Sequence, residues 1–263
     1  MRSHSAFSLI ELSIVLVILG LLVGGILGGQ ALIRSSELRK FTTDASTYIT
    51  AIRTFQGRYM ALPGDMSNAT AFWGQTDANI AVCRVTVGSG TNTCNGDGDG
   101  IMETWEMFYG WKHLANAGLI AGQYTGVVAP GGHASIHHEV GVNCPRGMNN
   151  GCWGLAGMAT SQPPGSWQWP GEYGGVYFKF GKPDIADPVE EVFTPEEAYL
   201  IDIKMDDSKP GTGKLITRPV TDPAYALGHC SDTNDTTATG TPAANYNLIR
   251  KQLACSLMLR QIM

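Results

Sequence analysis

The sequence predicts an α+β protein, with one long N-terminal helix followed by a head of short strands, short helices and many turns. Three observations carry this expectation. No proline occurs before Pro63, and no charged residue lies between Glu11 and Arg34. Apolar residues then keep helical spacing well beyond that uncharged run. From Pro63 onward the texture changes, and glycine, proline and asparagine punctuate short apolar runs.

Residues 7–29 (FSLIELSIVLVILGLLVGGILGG) are almost wholly apolar. A hydrocarbon core of about 30 Å needs roughly 20 helical residues, so this stretch is long enough to cross a bilayer. Past Arg34, the apolar residues Leu38, Phe41, Ala45, Tyr48, Ile49, Ile52, Phe55 and Tyr59 recur at steps of three and four. That is one helical stripe. Arg39, Lys40, Thr43, Asp44 and Arg53 fill the other faces. The helix is expected to run to about Gly57, within a spine segment of residues 7–62. Gly20, Gly24 and Gly28 recur at every fourth position. Small residues so placed let helices approach closely in an apolar medium. Each also weakens the helix by about 1 kcal/mol relative to alanine.

Three readings compete for this N-terminus. A cleaved secretory signal has an apolar core of about 7–15 residues and a small-residue cleavage site beyond it. Here the run is longer, and no such site precedes Arg34. A plain signal anchor fits the length but leaves Glu11 unexplained. An ionised carboxylate in a membrane helix costs about 2.5–3.5 kcal/mol on insertion scales, so it needs a partner or a function.

The third reading accounts for the acid. Ala6-Phe7-Ser8-Leu9-Ile10-Glu11-Leu12 resembles the class III (prepilin) signal of type IV pilins and type II secretion pseudopilins. The resemblance implies that a prepilin peptidase cuts between Ala6 and Phe7 and methylates the new amine. Ala6 stands where most members have glycine. Residues 1–6 are then a leader, and Glu11 is an assembly residue that meets the N-terminal amine of a neighbouring subunit. The same resemblance implies a fold in which the helical spine packs on an antiparallel β-sheet head.

Residues 63–263 read as one head, because no linker or repeat divides them. Within it, 102–119 (METWEMFYGWKHLANAGL) is expected to be helical and to end at Gly118, a C-cap residue. Residues 175–180 (GVYFKF) read as a strand. Thr194-Pro195-Glu196-Glu197 is a helix start, with an N-cap threonine, proline in the first turn and a capping-box glutamate. That helix is expected to reach about Met205. Residues 248–262 form a mixed apolar and basic terminal element. The head resembles larger prepilin-type proteins at Leu62-Pro63-Gly64-Asp65, the 95–100 turn, Trp111-Lys112-His113-Leu114 and residues 198–213.

The six cysteines, Cys83, Cys94, Cys144, Cys152, Cys230 and Cys255, contain no CxxC pair and no zinc spacing with histidine. An even count of this kind suits disulfides in an oxidising compartment. Sequential pairing is favoured because it closes short or moderate loops between glycine-rich segments. The formal net charge is −5 and no long basic run occurs, so a dedicated nucleic-acid surface is not indicated.

The most informative chemical motif is 95–106, NGDGDGIMETWE. It matches the twelve-residue calcium loop, in which oxygen ligands alternate, glycine takes the sharp turn at the sixth position and an acid closes the twelfth. The expected ligands are Asn95, Asp97, Asp99 and Glu106, with the Ile101 carbonyl and Glu103 directly or through water. Asparagine in the first position removes one charge and lowers the expected affinity. The alternative is a glycine–aspartate turn without an ion. His133, His137 and His138 are a second metal candidate, set against ordinary loop histidines. Trp153, Trp167, Trp169, Tyr173 and Tyr177 read either as a surface-binding face or as a seal between head and helix. There is no GxSxG, HExxH or P-loop pattern.

The expected function is therefore structural, not enzymatic. The chain reads as a subunit of an extracellular type IV pilus-like filament, a homopolymer assembled from an inner-membrane-anchored precursor by the inner-membrane machinery. A secretion pseudopilin is the alternative within the class. A membrane-tethered extracytoplasmic enzyme or binding module is the alternative outside it.

Overall fold

The computed structural model describes residues 9–102, 105–130, 136–158, 174–183, 187–218, 230–232, 244–260 and 262. The chain forms two compact units, Met1–Phe41 and Thr42–Met263. Helix α1, Leu9–Tyr59, runs for 51 residues and contributes to both.

In the first unit, every described side chain from Leu9 to Gly28 is exposed, including Leu12, Ile18, Leu21 and Leu27. A helix that is apolar all round belongs in lipid or in a protein core. This one is long and apolar enough to cross a membrane.

In the second unit the predicted stripe is the buried face of α1. Ala45, Ile52 and Phe55 are fully buried. The outward face is rich in Ser and Thr, whose hydroxyls bond back to carbonyls one turn earlier, as Thr47 does to Thr43 and Thr54 to Thr50. That arrangement satisfies polar groups within the helix. α1 ends at Tyr59, and the next residue, Met60, has a left-handed φ of 55°.

Two short helices follow, α2 (Ala69–Trp73) and α3 (Ile80–Cys83), and then α4 (Glu106–Asn116). α4 starts later than the sequence suggests. The Met102 carbonyl accepts from Gly157 N–H at 2.7 Å, so this residue is tied to strand β1 and not to a helical turn. At the other end Gly118 has φ +69°, and Leu119 N–H donates to Leu114 O. That is the expected glycine-terminated cap.

The sheet has five antiparallel strands: β1 (Cys152–Met158), β2 (Gly175–Pro183), β3 (Pro188–Glu190), β4 (Leu215–Thr217) and β5 (Leu257–Leu259). Their order is β1-β2-β5-β4, and β3 pairs with the far end of β2. Helix α5, Pro195–Met205, carries the complete capping box between Thr194 and Glu197. Within the second unit, the sheet and the helices share an aromatic core. Tyr48 meets Trp111 and Trp153 edge-on, with centroids 5.0 and 5.5 Å away, and Trp111 stacks on Phe178 at 5.8 Å. Aromatic pairs in such geometries add to their burial energy.

Three disulfides tie the second unit, Cys83–Cys94, Cys144–Cys152 and Cys230–Cys255. No cysteine is free. Loop closures of this size contribute about 3 kcal/mol each in chain-entropy terms.

Candidate functional site

The acidic loop after Cys94 is organised from outside itself. The turn Pro63-Gly64-Asp65 feeds a carboxylate into it. Asp65 is buried, and its Oδ1 accepts from Gly98 N–H at 2.7 Å while Oδ2 accepts from Gly100 N–H at 3.1 Å. Gly64 and Gly96 make this approach possible. A Cβ on Gly64, at φ +98°, would lie 2.3 Å from the Glu106 carbonyl, and one on Gly96 would lie 2.3 Å from the Asp65 backbone. Only glycine fits either place.

Inside the loop, Asp97 Oδ1 accepts from Asp99 N–H at 3.2 Å and Asp99 Oδ1 from Ile101 N–H at 2.8 Å. Such turns are the local preference of aspartate. Glu106 opens α4 and accepts from Asp97 N–H at 3.0 Å. Asp65, Asp97 and Asp99 each offer a carboxylate oxygen, and all three oxygens lie within 4.8 Å of one another. Burial pushes the Asp65 carboxyl above its ordinary range; the Gly100 and Gly98 amides pull it back, and Asp99 and Asp97 push it up again. These are hard oxygen donors converging on one point, which suits calcium or magnesium and not a thiophilic metal.

The sequence-predicted ligands are therefore distributed unevenly. Asp97 and Asp99 converge, and Glu106 closes the loop through Asp97. The Asn95 side chain instead accepts from Thr70 N–H at 2.8 Å, at the start of α2. Glu103 lies outside the described residues, as do the processing residues Ala6 and Phe7. Asp65 was not foreseen. It stands thirty positions before Asn95, and its one signal was an acid directly after a Pro-Gly turn.

His113 supports the same region from α4. Its Nδ1 accepts from Gly64 N–H at 3.0 Å, while Nε2 lies 3.0 Å from Thr93 Oγ1 and 3.3 Å from Cys94 O. Burial lowers its pKa to about 3. The imidazole thus joins the Pro63–Asp65 turn, the Cys83–Cys94 crosslink and α4 as a neutral ring.

The other two candidates fare differently. His137 and His138 place Nδ1 against the Ala129 and Ile136 carbonyls, at 3.1 and 2.9 Å, and His133 lies outside the described residues. Trp153 and Tyr177 are buried in the head, so neither presents a surface platform. Trp167, Trp169 and Tyr173 lie outside the described residues.

An apolar helix long enough to cross a membrane, followed by a head tied by three disulfides, fits a membrane-anchored kind of protein. The N-terminus specifies the kind. Residues 1–27 match the family model of the prokaryotic N-terminal methylation motif. This is the class III signal of type IV pilins and pseudopilins, and it supports a precursor of that kind. The motif implies processing by a prepilin peptidase and assembly into pilus-type filaments. No curated protein and no solved structure matches the chain.

Proposed function

We propose that this chain is the structural subunit of an extracellular type IV pilus-like filament, built from an inner-membrane-anchored precursor. The observation that carries the reading is the methylation motif at residues 1–27, joined to an otherwise uncharged stretch whose single acid is Glu11. An ionised carboxylate within a membrane span costs about 2.5–3.5 kcal/mol on insertion scales, so its presence there points to a function. A neighbouring subunit's N-terminal amine, freed by cleavage before Phe7, is the partner we propose.

The head serves this polymer as a crosslinked, exported body. Calcium held by Asp65, Asp97 and Asp99 orders its acidic loop, with Glu106 fixing the loop through Asp97. Mass spectrometry and N-terminal sequencing of filaments sheared from the cell surface test the reading. The expected result is this chain as the principal component, beginning at Phe7. Filaments that lack the chain, with the protein retained in an envelope secretion complex, would assign it to the pseudopilins instead.

A further inference from the structure

A second acidic cluster lies at the opposite end of the head's sequence, where α5 gives way to β4. Asp202 sits in the last turns of α5, and Asp206 and Asp207 directly follow the helix end at Met205. One carboxylate oxygen from each lies within 4.8 Å of the other two. That is the widest separation two oxygens have on one calcium ion, given calcium–oxygen distances of about 2.4 Å.

Acidic residues cluster on many surfaces without an ion, so their convergence alone settles nothing. Asp202 supplies the separate observation. Its side chain is 0 % exposed. Oδ2 accepts from the Tyr246 hydroxyl at 2.7 Å, while the buried Oδ1 has no hydrogen-bond partner. The Ser208 amide favours the charged form of this carboxylate. A buried carboxylate oxygen left without a donor costs about 1–3 kcal/mol or more. The Asp206 and Asp207 carboxylates lie beside the same side chain, and among the described residues no ammonium pairs with it. Lys209 directs its Nζ to Asn245 Oδ1 at 2.8 Å. Burial, with Asp207 and Asp206 adding to it, pushes the Asp202 pKa up to about 7.

The neighbouring acids are fixed by the backbone. Asp206 Oδ2 accepts from Lys214 and Leu215 N–H groups, and Asp207 accepts from Lys209 N–H at 2.9 Å and from the Thr212 hydroxyl. Their remaining lone pairs are what a cation would use. The donor set is entirely hard oxygen, which selects a calcium-class ion.

We propose that Asp202, Asp206 and Asp207 form a second divalent-cation site, of the calcium class, completed by water. The ion neutralises the buried Asp202 and clamps the end of α5 to the loop entering β4. It also fixes the partner of Tyr246. This residue belongs to the short stretch bonded to Cys230, since Asn247 N–H donates to Cys230 O at 2.8 Å. The site is independent of the 95–106 loop and of whether the chain forms a pilus.

The test uses the full chain in detergent micelles, carrying Asp97→Asn and Asp99→Asn to disable the first loop. Calcium is titrated by calorimetry and by tyrosine difference absorbance. The expected result is one remaining equivalent of calcium, with an absorbance change that Tyr246→Phe removes. Adding Asp207→Asn should weaken binding at least tenfold, and so should Asp202→Asn, which keeps an acceptor for Tyr246. No bound calcium at millimolar concentration in the Asp97→Asn/Asp99→Asn chain would overturn the proposal. Unchanged affinity in the Asp202 and Asp207 variants would do the same. If those variants misfold, the tyrosine signal in the chain with an intact cluster still decides the question. Failure of the first loop to bind calcium would leave this result untouched, because the measurement is made with that loop already disabled.

Discussion

His113 is neutral because of what surrounds it. Its Nδ1 accepts a backbone N–H from Gly64, a role only an unprotonated nitrogen can fill. The ring lies parallel to Phe55, with centroids 6.3 Å apart, and has no exposure. In the unfolded chain this histidine takes up a proton near its ordinary pKa of about 6.5, whereas in the fold it does so only at about 3. Between those values the unfolded state binds more protons, so stability rises with pH across the interval. The contribution is complete above about pH 6.5 and declines as pH falls toward 3. Proton NMR of the imidazole should show no titration of His113 between pH 7 and pH 4. Replacing it with glutamine, His113→Gln, should flatten the acid limb of stability measured by denaturant unfolding. A ring that titrates near 6.5 in the folded protein would contradict this account.

At the scale of elements, what the sequence reveals depends on whether the signal is local. α5 is legible because Thr194, Pro195 and Glu197 supply cap, first-turn residue and capping box within four positions. The buried stripe of α1 is legible for the same reason, since its period is contained in the helix. β1 is not. CWGLAGM lacks strand alternation because its residues from Cys152 to Gly157 are all buried, and both faces are set by distant segments. A Cβ on Gly154 would meet Pro188, and one on Gly157 would meet Met102. The acidic loop shows the same division. Asp97 and Asp99 announce themselves by spacing, while Asp65 reaches the loop through a turn that sequence distance conceals. This gives a prediction for the loop. Calcium at 100 times its dissociation constant should stabilise the chain by about 2.7 kcal/mol. Thermal melts in millimolar calcium and in chelator should therefore differ, and Asp97→Asn with Asp99→Asn should reduce the difference. Identical melts in calcium and chelator would remove calcium from both acidic clusters.

For the whole molecule, the decisive group is Glu11, in the first turns of α1. Two costs must be separated. The first is insertion, where an ionised acid within the membrane span opposes entry by about 2.5–3.5 kcal/mol. Glu11→Ala removes that cost, so membrane association of the precursor should stay the same or improve. The second is assembly. In a polymer with low-dielectric surroundings, a carboxylate facing the amine of a neighbouring subunit gains from a charge-assisted hydrogen bond, which is roughly twice as strong as a neutral one. The variant keeps the helix, since alanine is the best helix former, and leaves the head untouched. It should therefore insert, be cleaved, and accumulate in the membrane while surface filaments fall to a small fraction of wild type. Glu11→Gln separates charge from hydrogen bonding, because it keeps an acceptor without the negative charge. If the amine contact is ionic, glutamine should fail nearly as badly as alanine. Immunoblots of membrane and sheared-filament fractions provide the measurement. Filament yields equal to wild type in both variants would show that Glu11 makes no assembly contact, whereas loss of the protein from the membrane would place its role in insertion.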